Sequence, residues 1–395
     1  MSDFHLSVDY GTSNTVAVLS WPDGKSRPLH FGPSAVHAAP DGRLSTGNDA
    51  IRASRSDPSG LEPNPKRRID DGEVLLGASA LPVAALIAAT LSVVRLEAER
   101  VAGGPIPVFT MTIPAGWAGP RRAVLAEAAT LAGLPEPVFV PEPVAAASYF
   151  VTQAAARVPS GGYAVVYDLG AGTFDVSVVR RHGDAFEVLA VDGLDDVGGL
   201  DLDQVLIERI GAALTDEERD AWRNLLAPTD NAAMRARHEL WRDVRDAKEA
   251  LSRQPSASLY LPLVDREVHV VREEFERHAT SILEPTTVTM MRAVADSGVG
   301  AQELAGVFLV GGASRTPLVT TLAHRASGIA PIAVEQPELV VAEGGLRASV
   351  FTSAPPPAPA PPHPTRTIAV PPSSPCPEPP GTPRRRDDSS PKPKV

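Results

Sequence analysis

Apolar and polar positions in this chain change period several times. Residues 6–20, LSVDYGTSNTVAVLS, are two apolar, β-branched runs around a short turn with glycine. That pattern predicts a tight hairpin. Residues 164–179, AVVYDLGAGTFDVSVV, repeat it: apolar strand, Asp, one residue, Gly, a small-residue turn with Thr, then a second apolar strand. The copies stand 159 positions apart, Asp168 minus Asp9. Between them, VFTMTIP (108–114) predicts a strand. GPRRAVLAEAATLAGL (119–134) predicts a helix with Pro120 near its first position and Gly133 near its C-cap. PVFVPEPVAAASYF (137–150) predicts a short strand, a proline-bounded turn and the start of a helix.

Residues 231–252 predict a long charged helix on which Leu240, Val244, Ala247 and Leu251 form one apolar stripe. LAGVFLVGGASRTPLVTTL (304–322) predicts strand, glycine turn and helix, and PELVVAEGGLRASVF (337–351) a final helix. Alternating strand and helix signals over residues 1–352 predict an α/β protein.

Residues 74–94, VLLGASALPVAALIAATLSVV, carry no charge and are long enough to span a bilayer. Gly77, Ser79 and Pro82 interrupt the first half, and Arg95, Glu97, Glu99 and Arg100 continue the helical phase. A core helix with Pro82 in its first turn is the better reading. Beyond Ser353 the chain is saturated with proline, which forbids regular helix, and has few large apolar residues to bury. A disordered tail over 353–395 is expected, most simply a tether.

Composition narrows the function. A net charge of −11 argues against a general nucleic-acid binder. The single cysteine, Cys376, allows no intrachain disulfide and no thiolate cluster, which suits a reducing, cytoplasmic setting. MSDFHLSVDYG shows no secretory pattern. There is no GxxxxGK[ST], HExxH, GxSxG or strand-borne GxGxxG, and the histidines have no metal-ligand spacing.

The two hairpins carry the candidate chemistry. Glycine turns can present backbone N–H groups to phosphate oxygens. Thr12, Ser13 and Thr173 add hydroxyls, and Asp9 and Asp168 lie where each first strand ends. A carboxylate beside a phosphate needs a cation between them, and Mg²⁺ suits one or two carboxylates plus phosphates. Either turn alone would more simply be an ordinary hairpin. Two copies in matching context point to a phosphate clamp. At Gly311-Gly312 a strand enters a glycine turn against which a nucleoside could lie, with Arg315 nearby to stack or pair.

These motifs resemble the nucleotide-binding domain of the DnaK-type seventy-kilodalton heat-shock chaperones, within the actin, hexokinase and chaperone superfamily. VDYGTSNTVAV resembles the first phosphate motif, YDLGAGTFDVSVV the second, and PEPVAAASYF a connecting motif. VGGLDLDQVL, RDAKEALS and FLVGGASRTP follow in family order, and NPKRRID resembles the segment bearing the catalytic lysine. The resemblance implies a two-lobed, actin-like (ribonuclease H-like) fold, with lobe I over 1–160 and lobe II over 161–352 including a C-terminal helix that returns towards lobe I. It implies ATP or ADP, Mg²⁺ and a K⁺ ion as cofactors. Asp9 and Asp168 would hold Mg²⁺ through water, and Asp175, beside Asp9, a monovalent cation. Gly11, Thr12, Ser13, Asn14, Gly170, Ala171, Gly172 and Thr173 would line the phosphates, with Gly198 and Gly199 close by. Lys66, Glu142, Asp168 and Thr173 would serve hydrolysis. Lys248, Ser252, Gly311, Gly312, Ala313, Ser314 and Arg315 would hold the adenosine.

Departures from the family pattern accompany the match. Ala171 replaces a glycine, which requires negative φ there. Ala313 replaces a serine. Arg245 and Glu249 stand where the family has an acidic residue and a base-stacking arginine, and the outer part of lobe I is expected to be trimmed. The family continues through an apolar acidic linker into a peptide-binding β-sandwich, whereas here proline follows VFTS, so the usual peptide clamp is not expected from these residues. A slow Mg²⁺-dependent ATPase acting on a protein partner or client is the leading reading. A non-turnover nucleotide sensor and a sugar or acid kinase are the alternatives. Neither nucleic acid nor membrane is expected as a partner.

Overall fold

The computed structural model describes residues 3–348 except 153, 155, 229 and 262–264. These belong to one compact unit. The proline-rich tail and the end of the final predicted helix lie outside the described residues.

The first hairpin forms as predicted. β1 (His5–Tyr10) and β2 (Asn14–Ser20) pair antiparallel, and β3 (Ser26–Pro33) extends them. β4 (Val36–Ala38), β5 (Leu44–Thr46) and β6 (Leu61–Glu62) make a small sheet with α1 (Gly47–Ala53) beside it. A single 3₁₀ turn over Pro65–Arg68 carries Lys66. The charge-free run then divides: β7 (Glu73–Leu76) and β8 (Ser79–Pro82) form a hairpin, and α2 (Val83–Ala102) follows with Pro82 as its N-cap. Among the described residues no helix is long and apolar enough to cross a membrane.

β9 (Val108–Ile113), α3 (Gly119–Leu131) and β10 (Val138–Pro141) complete a sheet ordered β10-β9-β1-β2-β3. Gly133, at φ 74°, ends α3 as expected. α4 (Glu142–Thr152) starts directly on β10, without the turn anticipated there.

The second hairpin is β11 (Tyr163–Leu169) and β12 (Phe174–His182), extended by β13 (Ala185–Leu194). Then come α5 (Gly199–Ala212), α6 (Asp216–Leu226) and α7 (Asn231–Leu251), whose four predicted stripe residues are all buried. β14 (Ser256–Leu261), β15 (Arg266–Val271) and α8 (Arg272–Asp296) precede β16 (Leu304–Val310), α9 (Pro317–Ser327) and α10 (Val340–Ala348). The second sheet is ordered β13-β12-β11-β16.

The repeat therefore extends beyond the quoted phrases. β1 pairs antiparallel with β2 and parallel with β9; β11 pairs antiparallel with β12 and parallel with β16. Each sheet has a large core on one side. A third core joins them, with Val140, Ala145, Phe150, Val166, Phe308 and Val340 drawn from both halves of the chain. Phe150 and Phe308 stack at 4.4 Å between centroids. α10 closes this region against α4 because Gly344 has no side chain; a Cβ there would lie 1.9 Å from the Ala145 carbonyl oxygen. This packing leaves the two repeated turns facing one cleft.

Candidate functional site: a cleft between two phosphate-type turns

The turns share one construction. Gly11 N–H donates to Asn14 O at 3.0 Å, and Gly170 N–H donates to Thr173 O at 3.0 Å. Neither glycine has positive φ, nor does Ala171, so the alanine sits there without backbone strain. Gly11 is needed instead for close approach, since a Cβ would stand 2.4 Å from Asn14 O. Each turn is fixed from behind by a distant element. Ser34 Oγ donates to Gly11 O at 2.7 Å and Ser34 N–H to Ser13 O at 2.8 Å. On the second turn, Gly199 N–H donates to Gly170 O at 2.9 Å and Leu200 N–H to Ala171 O at 2.7 Å. The first amides of α5 thus hold the turn's carbonyls.

The cleft has a volume of about 570 Å³. Asp9, Gly11, Thr12, Ser13, Asn14, Lys66, Glu142, Asp168, Gly170, Ala171, Thr173, Asp175, Gly199, Lys248, Ser252, Gly311, Gly312, Ala313 and Arg315 line it. Three predicted site residues do not. Gly172 packs against the opposite turn, with Thr12 Cγ2 3.3 Å from where its Cβ would be. Gly198 backs the second turn; its Cβ would lie 2.7 Å from Ala171 O. Ser314 is buried and donates its Oγ to Gly311 O at 2.7 Å, stiffening the glycine turn.

The floor of the cleft is a charge cluster. Lys66 Nζ donates to Glu142 Oε1 at 3.2 Å, with both side chains nearly buried. Asp9 accepts from Thr112 Oγ1 at 3.1 Å, and Asp175 from Thr173 Oγ1 at 2.9 Å. Asp175 is the ladder partner of Asp168. Period-two alternation puts residues that face each other across a ladder on one side of the sheet.

Burial, then repulsion from Glu142, pushes the Asp9 and Asp175 carboxyls each up to about 6. Asp168 is raised well above the carboxylate range by burial, then by Glu142, Asp175 and Asp9. Burial pulls the Lys66 ammonium down, but Glu142 and Asp9 outweigh it and hold it above the usual lysine value. Asp9, Asp168, Asp175 and Glu142 thus crowd around one buried ammonium. Ser13 Oγ is buried in the turn without a hydrogen-bond partner. Among the described residues no three His, Cys, Asp or Glu side chains form a direct metal cage. Acidic oxygens short of positive charge, beside an unsatisfied hydroxyl and turn amides, fit a hydrated cation with an anionic ligand.

The other end is flatter. Gly311 has φ 82°, and a Cβ there would lie 2.3 Å from Leu169 O and 2.5 Å from Asp168 Oδ1, so any side chain would collide. Arg315 donates to Glu335 O at 2.6 Å and pairs with Glu338 at 3.1 Å, which holds it at the wall. Lys248 is anchored: its Nζ donates to Gly199 O at 2.6 Å and lies 2.6 Å from the fully buried Asp203. Burial lowers the Lys248 pKa, with Asp203 acting against it. Its ammonium joins α7 to α5 behind the cleft. Arg245 and Glu249 both line the wall, and Arg245 Nε lies 3.7 Å from Asp203.

Motif reading missed Ser34, Arg67, Thr112, Trp117, Arg121 and Asp203. Thr112 could have been found by aligning β9 with β1, since it pairs with Asp9. Arg67 and Asp203 lie within the quoted motifs NPKRRID and VGGLDLDQVL, while Ser34, Trp117 and Arg121 carry no local signal.

A family model described as Hsp70 protein matches residues 73–354. The chain belongs to the Hsp70 family. It is 32% identical over 370 residues to the chaperone protein HscA homolog of Bordetella petrii, covering 86% of this chain and 56% of that protein. It is 31% identical to the homolog of Aromatoleum aromaticum, covering 88% of this chain and 58% of the relative. For that of Azotobacter vinelandii the figures are 31%, 86% and 56%. The chain thus spans a little over half the length of these relatives. The two-lobed actin-like architecture expected from the motifs is that of the Hsp70 ATPase domain.

Proposed function

We propose that this Hsp70-family chain binds ATP with Mg²⁺ in the cleft and hydrolyses it slowly, with Lys66 next to the terminal phosphate. The observation that carries the reading is the buried set of Asp9, Asp168, Asp175 and Glu142 around Lys66, enclosed by two equivalent turns. In this reading Asp9 and Asp168 hold the magnesium through its waters, and Asp175 takes K⁺. Bound Mg²⁺ would neutralise phosphate oxygens and lower the barrier to in-line attack by water. The N–H groups and hydroxyls of residues 11–14 and 170–173 would orient the phosphates. Lys66 would offset charge on the transferring phosphoryl, and Glu142, fixed by Lys66, would orient the attacking water. Gly311 and Gly312 would seat the nucleoside, beside Ser252 and Arg315.

We also infer that the lobes divide near residue 160, that closure around nucleotide is read by a protein partner or client, and that the chain acts in the cytoplasm. The HscA homologs it resembles are chaperones by name. Calorimetric titration with ATP tests the binding step. Affinity should fall at least tenfold on chelating Mg²⁺ and in Asp168→Asn. ATP binding indifferent to both would contradict the proposed cation site.

A further inference from the structure

Lys66 meets an aromatic partner as well as its carboxylate. The centroid of the Trp117 ring, in the loop between β9 and α3, lies 5.3 Å from Lys66 Nζ. The ammonium therefore has two neighbours, Glu142 Oε1 at 3.2 Å and the indole face. The Trp117 backbone is itself held, its amide N–H donating to Pro114 O at 3.1 Å and its carbonyl accepting from Arg122 Nε at 3.0 Å. A second tie fixes the same two segments. Arg121, in the first turn of α3, clamps Asp70 at 3.0 and 2.6 Å, and Asp70 lies four residues beyond Lys66. The Arg121 guanidinium also lies 5.3 Å from the Trp117 centroid.

We propose that Trp117 is a positioning residue: its indole face holds the Lys66 ammonium at the cleft surface and so sets the rate of phosphate transfer more than nucleotide affinity. The proposal rests on the hydrolytic reading above. The charges facing Lys66 are Glu142, Asp9, Asp175 and Asp168. All of them draw the ammonium toward the carboxylate floor. An aromatic face attracts a cation without taking its proton or pairing fully with it, and indole does this best among the aromatic side chains. Trp117 thus gives the ammonium a partner besides the carboxylates and leaves its protons free for an incoming phosphate.

The test uses the full chain. Trp117→Leu should lower kcat about tenfold with KM for ATP within about twofold, and Trp117→Phe should recover most of the loss. A second readout needs no turnover. The chain has 4 tryptophans, so 5-fluorotryptophan labelling gives an assignable fluorine spectrum, with the Trp117 signal identified by its loss in Trp117→Phe. Lys66→Met should shift that signal and Lys66→Arg should largely preserve it. Unchanged kcat in folded Trp117→Leu, or a Trp117 signal unmoved by Lys66→Met, would overturn the proposal. Absent turnover in the wild type with the fluorine shift intact would instead overturn the hydrolytic reading and support the Trp117–Lys66 contact.

Discussion

Thr12 and Gly172 touch across the cleft: a Cβ on Gly172 would stand 3.3 Å from Thr12 Cγ2 and 3.5 Å from Arg67 Cδ. The two repeated turns therefore do more than face a common space. They meet, and the glycine sets how closely. Because Gly172 has no positive φ, a side chain there costs contact and not backbone strain. Gly172→Val should leave the melting temperature within about 3 °C of wild type while weakening ATP affinity roughly tenfold, by holding the turns apart. Paired thermal melts and calorimetry check this; equal loss of both would mean that the turn itself had collapsed.

The first glycines of the two turns should differ in tolerance. A Cβ at Gly11 would lie 2.4 Å from Asn14 O, whereas at Gly170 the nearest atom, Thr173 O, is at an ordinary 3.5 Å. Gly11→Ala should destabilise by about 2 kcal/mol, and Gly170→Ala by less than about 1 kcal/mol. Urea denaturation measures both.

The carboxylate cluster should oppose folding in the absence of ligand. Burial and Glu142 hold the Asp9 and Asp175 carboxyls at about 6 in the folded chain, above the ordinary aspartate value of 3.8. Between these values the folded chain binds more protons than the unfolded chain, so their contribution falls as pH rises through the window. Asp168, raised further by burial and its neighbours, follows the same sign, so Asp168→Asn should raise nucleotide-free stability at pH 7.5 and by less at pH 5, while abolishing Mg²⁺-dependent binding. Chemical denaturation at the two pH values is the check. A destabilised Asp168→Asn would show that the carboxylate is paired in the free protein.

Lys248 should behave as a structural cation. Removing it leaves Asp203 buried and largely uncompensated, since Arg245 approaches only to 3.7 Å. Breaking such a pair costs about 3–5 kcal/mol. Lys248→Met should lose stability on that scale, and the double variant with Asp203→Leu should recover more than half. No recovery would place the main role of Lys248 at the nucleotide.

The repeated strands were legible because the Asp-x-Gly phrase and its flanking apolar runs survive in both copies, and α7 because its stripe is regular. The β7–β8 hairpin was hidden: in a short apolar run, strand and helix share one signature, and only Gly77 and Pro82 marked the boundary. Gly198 and Ser314 lie within recognisable motifs, yet serve the turns from behind. That Asp175 stands opposite Asp168 is set by the register of β11 on β12. Trp117 and Ser34 were invisible because their partners lie 51 and 23 positions away, at Lys66 (117 minus 66) and Gly11. Such contacts depend on packing.

The central claim is that the buried Lys66 acts on a phosphate held between the two turns. Steady-state phosphate release from ATP, with and without Mg²⁺, tests it in wild type and Lys66→Ala. Slow Mg²⁺-dependent release in the wild type, reduced at least tenfold in Lys66→Ala with ATP still bound, is the predicted result. Equal release from both proteins would contradict it.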